Sequence, residues 1–263
     1  MKIITILPVS RIEYFDRVIE SLLNQSYKPH TSLLVVVDGP TELFVRVHNK
    51  LASIPLNSVL CVQSNNPGYV PTATIPQRRE RITSIHNQIR GLLPEDVDYV
   101  FSIEDDGILP VNALSWLVND IQNYKSAGLV TGVELGRWGV PYVGAWKVDD
   151  IMDARKIISV ESRIGSTIVE EIDACGLYCT LIRADLYKQH TFSSNNGLGP
   201  DINLALELRQ LGFKNYIDWF IPVTHLTSKN GVQIEIPATN EARIVTLTSL
   251  RNSKYWHAAY LTR

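Results

Sequence analysis

Apolar positions along this chain alternate between short dense runs and helical spacings, in an order that predicts strand, helix, strand. Residues 3–7 are a dense apolar run, and Pro8-Val9-Ser10-Arg11 reads as the loop that closes it. Across residues 12–24, Phe15, Val18, Ile19, Leu22 and Leu23 recur at three- and four-residue spacing, which predicts an amphipathic helix. Pro29 ends the connection, and residues 33–37 read as a second strand closed by Asp38-Gly39-Pro40. Such a βαβ unit implies a parallel sheet with a right-handed crossover. Ligands of such sheets bind beyond the carboxyl ends of the strands, so residues 8–11 and Asp38 are expected on one rim.

The alternation continues down the chain. Helix is predicted over residues 42–53, strand over 58–63, loop over 64–68 and helix from Pro76 to residue 93. Strand 99–103, helix 111–124 and strand 128–133 follow. Further on come a strand over residues 176–182, a short helix over 184–188 and a turn-rich loop over 195–200. Residues 202–211 read as a helix stopped by Gly212, and 216–223 as a last apolar strand with His225 just beyond it. The predicted class is α/β, with a mostly parallel central sheet flanked by helices. Residues 1–107 form its first half, 108–239 its second, and 240–263 a tail that could fold over a substrate or pack on a partner.

Composition narrows the class of protein. The 263 residues are 45% apolar and 20% charged, enough for a sizeable core in one large domain. A net charge of −2 gives no global electrostatic reason to expect nucleic-acid binding. No apolar run approaches a membrane span, so no integral membrane association is expected. The residues after Met1 read as a strand, with no n-region, apolar h-region or cleavage site, so no signal peptide is expected. Three cysteines, odd in number and sparse, suit a reducing cytoplasm. Cys175 and Cys179 have no second pair to complete a zinc site and are expected to be structural thiols.

The chemistry concentrates at residues 98–107. An apolar strand there runs straight into Glu104-Asp105-Asp106-Gly107. Three acids at the mouth of a buried strand are costly unless positive charge meets them. A divalent cation carrying a diphosphate would supply it, since hard oxygen ligands suit Mg2+ or Mn2+; an acidic surface turn is the alternative. Arg78, Arg79 and Arg81 stand in the first turns of the preceding helix, where they oppose the helix dipole. A bound anion would resolve that conflict, and solvated surface arginines are the alternative. The glycine- and aromatic-rich stretch 136–146 reads as an acceptor platform or as a loop packed on the core. Asp201 stands at a helix start and could be its N-cap, and His225 at a strand end near several acids is a metal-ligand candidate.

Taken in order, these motifs resemble the GT-A glycosyltransferases, in particular the family 2-like group. The resemblance is carried by Ser21 to Lys28 with Pro29, by Val35-Val36-Val37-Asp38-Gly39, and by Arg81 with Asn87 ahead of the acids. It continues through Cys175-Gly176-Leu177-Tyr178, Ile182-Arg183, Gly199-Pro200-Asp201 and His225. Glu104 stands where the family's Asp-x-Asp motif has its first Asp, Pro200 replaces the Glu before the base, and one acid follows Val37 where two are frequent.

The resemblance implies transfer of a sugar from a nucleotide diphosphate donor, UDP-sugar for preference, to a hydroxyl acceptor. Pro8, Ser10, Asp38, Arg81, Glu104 and Asp105 would bind the donor, and Asp106 with His225 would hold Mn2+ or Mg2+. Asp201 would be the general base of an inverting displacement. The acceptor, whether glycan, protein, small molecule or modified nucleic-acid base, is left open. A retaining transferase, a sugar nucleotidyltransferase and a non-catalytic donor-binding subunit are the alternatives. The nucleotidyltransferase would want a glycine-rich loop where residues 8–11 have none.

Overall fold

The computed structural model describes residues 1–27, 32–56, 58–65, 74–135, 143–148, 157–159, 163–194, 197–229 and 232–238. Pro29, most of the loop after Asn65, the platform residues 136–142, Asn195, Asn196 and the tail 240–263 lie outside the described residues.

The first half of the chain alternates strands and helices: β1 (Ile3–Val9), α1 (Phe15–Leu23), β2 (Ser32–Val37), α2 (Thr41–Leu51), β3 (Ser58–Gln63), α3 (Ile75–Leu92) and β4 (Tyr99–Ile103). After the acids come β5 (Gly107–Ile108), α4 (Ala113–Asn123), β6 (Ala127–Val133), β7 (Ala145–Val148), β8 (Ile157–Ser159), β9 (Val169–Ile172) and β10 (Ala174–Cys175). The chain continues with β11 (Cys179–Arg183), α5 (Ala184–Gln189), α6 (Pro200–Gln210), β12 (Lys214–Pro222), β13 (Thr224–Lys229) and β14 (Val232–Pro237).

An eight-stranded sheet in the order β3-β2-β1-β4-β11-β6-β12-β9 forms the centre. β1 pairs in parallel with β2 on one side and with β4 on the other. The strand order therefore reverses beside β1, and the crevice at a reversal is where open α/β sheets bind ligands. Period-two alternation sends Ile3, Leu7 and Val9 of β1 to one face with Phe15, Val18, Leu22 and Val47. Ile4 and Ile6 go to the other face with Ile85, Ile89, Tyr187 and Leu204. Both faces are covered, which is why the central strands read as continuous apolar runs rather than alternating ones.

The first nine predicted strands and helices, through residues 128–133, stand within a few residues of expectation, and the structure differs further along the chain. Residues 176–178 are not strand: β11 begins at Cys179 and lies antiparallel between β4 and β6. β12 is not the last strand, and His225 sits inside β13 rather than beyond the sheet. β13 pairs with β14 and with the two-residue β5, forming a small sheet over the carboxyl ends. Helix α6 starts at Pro200 with Gly199 as its N-cap, so Asp201 lies in the first turn and not at the cap. Pro fits the first helical position because its missing N–H is unneeded there. Cys175 and Cys179 are buried free thiols.

Candidate active site

The carboxyl ends of β1 and β4 lie side by side, and the acids after β4 meet the loop after β1. Asp105 Oδ2 accepts from the backbone N–H of Ser10 at 2.7 Å, the Ser10 hydroxyl at 3.0 Å and the Arg11 N–H at 3.0 Å. Its other oxygen accepts from Arg11 Nη2 at 2.7 Å. Asp105 thus fastens the β1–α1 loop to the end of β4 across 95 residues of sequence. The same Arg11 Nη2 donates to Asp106 Oδ2 at 2.6 Å. Burial works against the charged guanidinium, but Asp105 and Asp106 outweigh it and hold its pKa above the ordinary arginine value. Glu104 is half-buried in the turn, where its carbonyl accepts from the Gly107 N–H at 3.5 Å. Pro8 is half-buried within β1, in register with Val36.

His225 reaches this cluster because β13 pairs with β5: His225 stands opposite Gly107, and the Leu226 N–H donates to the Asp106 carbonyl at 2.7 Å. Its Nε2 lies 3.2 Å from Asp106 Oδ2 and its Nδ1 lies 3.1 Å from the Leu135 carbonyl. Glu134, buried just past the end of β6, puts Oε2 3.7 Å from the same Nδ1. Both imidazole nitrogens therefore face oxygen acceptors. A neutral ring can donate from only one of them, so the other needs a proton or a cation.

On the neighbouring rim, Asp38 directly follows β2 and its Oδ2 accepts from Arg81 Nη2. Asp38 is 2% exposed, and its Oδ1 is buried with no hydrogen-bond partner among the described residues. Helix α3 carries Arg81 and closes its own start with a capping box, in which Gln77 Oε1 accepts from the Thr74 N–H at 2.9 Å. The arginines against the dipole therefore meet protein acceptors: Arg81 meets Asp38, and Arg79 donates to the Gly197 carbonyl. Asn87 brackets the Phe192 backbone, donating to its carbonyl at 3.0 Å and accepting from its N–H at 3.1 Å.

Asp201 lies half-buried near Gly176, whose added Cβ would stand 3.8 Å from Asp201 Oδ2. Burial pushes its carboxyl up, against the backbone N–H groups of Ile202 and Asp201 and the charge of Arg79. Gly176 and Gly144 leave space for Tyr178: an added Cβ would come within 2.8 Å of the ring at Gly176 and 2.6 Å at Gly144. Tyr178 is 3% exposed and its hydroxyl donates to the Gly132 carbonyl at 3.0 Å. The Cys175-to-Tyr178 motif thus packs the core between the acids and α6.

A divalent cation is implied by the resemblance, and the donor set can be tested for it. Among the described residues, no group of three His, Cys, Asp or Glu side chains is arranged to hold a metal ion. Asp106 Oδ2 and His225 Nε2 do stand 3.2 Å apart. Adjacent ligands of an octahedral cation with bonds of about 2.1 Å have nearly that separation, and Mg2+ habitually takes few protein ligands and completes its shell with phosphate and water. The pair therefore fits a two-ligand site finished by substrate, while Arg11 holds the same Asp106 oxygen.

Two members of the cluster escaped the sequence reading. Arg11 was legible only as part of an exit loop, although a cation there is what the buried Asp105 and Asp106 require. Glu134 follows an apolar strand as a single acid, and nothing local marks it.

No protein-family pattern matches the chain, and no curated protein matches it in sequence. Solved structures do. The crystal structure of A197 from STIV aligns with a TM-score of 0.51 at 11% identity, covering 87% of each chain. S. aureus TarS 1-349, also crystallised in complex with UDP, aligns with a TM-score of 0.51 at 15% identity, over 83% of this chain and 57% of that one. The chain has a Rossmann-like fold of the GT-A kind. It spans little more than half the length of the TarS fragment. No described helix is long and apolar enough to cross a membrane.

Proposed function

We propose that this protein transfers a sugar from a nucleotide diphosphate donor, preferably a UDP-sugar, to a hydroxyl acceptor with inversion at the anomeric carbon. The reading is carried by one observation: the acids after β4, the loop after β1 and Asp38 converge where the strand order reverses beside β1. A neighbour of the same fold has been crystallised with UDP.

Residues 1–107 are the donor half in this reading. Asp38 Oδ1, buried without a partner among the described residues, accepts an N–H from the base, and the Arg81 pair holds it in place. Pro8, near the end of β1, and Ser10, just beyond it, line the same rim, and Asp105 fixes the loop after β1, with Glu104 at the turn. Asp106 and His225 would hold Mn2+ or Mg2+, which when bound offsets the charge that develops on the leaving diphosphate. Residues 108–239 carry the acceptor half. There Asp201 removes the proton of the acceptor hydroxyl; its upward-shifted pKa makes it a stronger base than an ordinary carboxylate.

Calorimetric titration with UDP, with Mn2+ and with chelator, tests the donor site. Saturable binding that Asp38→Asn weakens by about ten-fold supports the reading. No binding of UDP or another nucleoside diphosphate under either condition overturns it.

A further inference from the structure

Arg11 places its guanidinium between the two buried acids that follow β4. Its Nη2 lies 2.7 Å from Asp105 Oδ1 and 2.6 Å from Asp106 Oδ2, and the Asp106 side chain has no exposed surface. His225 Nε2 points at that same Asp106 oxygen from 3.2 Å. One carboxylate oxygen thus faces two nitrogen groups, and a cation seated on that oxygen and His225 Nε2 would share it with Arg11.

We infer that Arg11 is the resident counter-ion of the acid motif and competes with a divalent cation for Asp106 Oδ2. The inference rests on the assignment of Asp106 and His225 as the cation's ligands. Without its own counter-ion the buried Asp106 would be left costly whenever no metal is bound, so an arginine parked there stabilises the empty protein. The same charge-assisted bond must be broken before a metal can enter, and it lowers metal affinity by what it contributes. Asp105 has other donors when Arg11 leaves: the Ser10 N–H, the Ser10 hydroxyl and the Arg11 backbone N–H all stay on its second oxygen. The loop can therefore keep its anchor while the guanidinium swings away. Arg11 is then a positioning and specificity residue: it restricts the site to cations that arrive with enough extra ligands, such as a diphosphate, to displace it.

The test is Mn2+ binding in the absence of nucleotide, followed by the electron paramagnetic resonance signal of the free ion. Arg11→Gln should bind Mn2+ more tightly than the unaltered chain by about ten-fold or more, and adding Asp106→Asn should abolish the gain. Equal or weaker Mn2+ binding by Arg11→Gln overturns the inference. Should that variant not fold, the unaltered protein still decides the matter. The Arg11 side-chain N–H resonance should lose its protection from exchange as Mg2+ is titrated in with UDP, and a resonance that keeps its protection throughout overturns it. UDP binding measured on the same samples reports on the donor site separately, so failure there is distinguishable from failure of the competition.

Discussion

Asp106 and His225 stand 119 residues apart in sequence and meet at 3.2 Å, joined by the pairing of a two-residue strand with the start of β13. That contact turns an acidic turn into a site with a nitrogen ligand. Asp106→Asn and His225→Ala should each lower the Mn2+-dependent part of UDP affinity by about ten-fold or more. The part that persists in chelator should be unchanged for His225→Ala. Calorimetry with and without Mn2+ separates the two, and equal losses in both conditions would assign the pair a purely structural role.

Asp201 should matter for transfer and not for donor binding. Asp201→Asn is expected to lower turnover by about a hundred-fold to ten-thousand-fold while UDP affinity stays within a few-fold. Turnover followed by UDP release, beside calorimetry on the same preparation, checks both halves. Near-normal turnover would remove Asp201 from the role of base.

The Asp38–Arg81 pair should serve stability as well as binding. Asp38→Ala leaves the Arg81 guanidinium without this carboxylate in a part-buried position, a change that costs about 3–5 kcal/mol where a pair is fully buried and less here. Asp38→Asn keeps the shape and should cost less stability while still weakening UDP binding. Urea denaturation of the two variants orders them.

Asn87 should behave as a clamp. Its amide is engaged on both sides by the Phe192 backbone, so Asn87→Ala should cost about 1–3 kcal/mol of unfolding free energy and leave UDP affinity within two-fold. A large loss of UDP affinity with little loss of stability would point to a direct nucleotide contact instead.

Away from the site, Asp120 on α4 is pushed up to about 7, chiefly by burial and then by the charge of Asp218 on β12. The folded state therefore holds a proton that the unfolded chain has released above about 4. Stability from this group is greatest below that pH and declines as pH rises toward 7. Asp120→Asn should flatten the decline, gaining over the unaltered chain at pH 8 more than at pH 5. Buried His86, its pKa lowered to about 4 by burial and then by His190, acts in the opposite sense between 6.5 and 4. Subtracting the variant's urea-derived stability from that of the unaltered chain at each pH cancels it. A constant difference would show that Asp120 titrates normally.

The amino-acid sequence determined the layers of this protein through local physics. Short dense apolar runs fit strands buried on both faces, and the three- and four-residue spacing of α1 gives it one apolar side to lay on such a sheet. Glu104, Asp105 and Asp106 after an apolar strand declared a chemical site, because three acids in that place demand compensation. Tertiary structure decided what compensates them. Arg11, in the loop after β1, is an ordinary polar residue at a strand's end when read alone, and His225, already a candidate in the sequence, is brought to Asp106 only by the pairing of distant strands. The antiparallel insertion of β11 and the β5–β13 pairing were equally invisible, since hydrogen bonds between distant strands leave no periodicity in either partner. The electrostatics of the site thus depends on neighbours that sequence distance conceals and only the folded chain brings within hydrogen-bond reach.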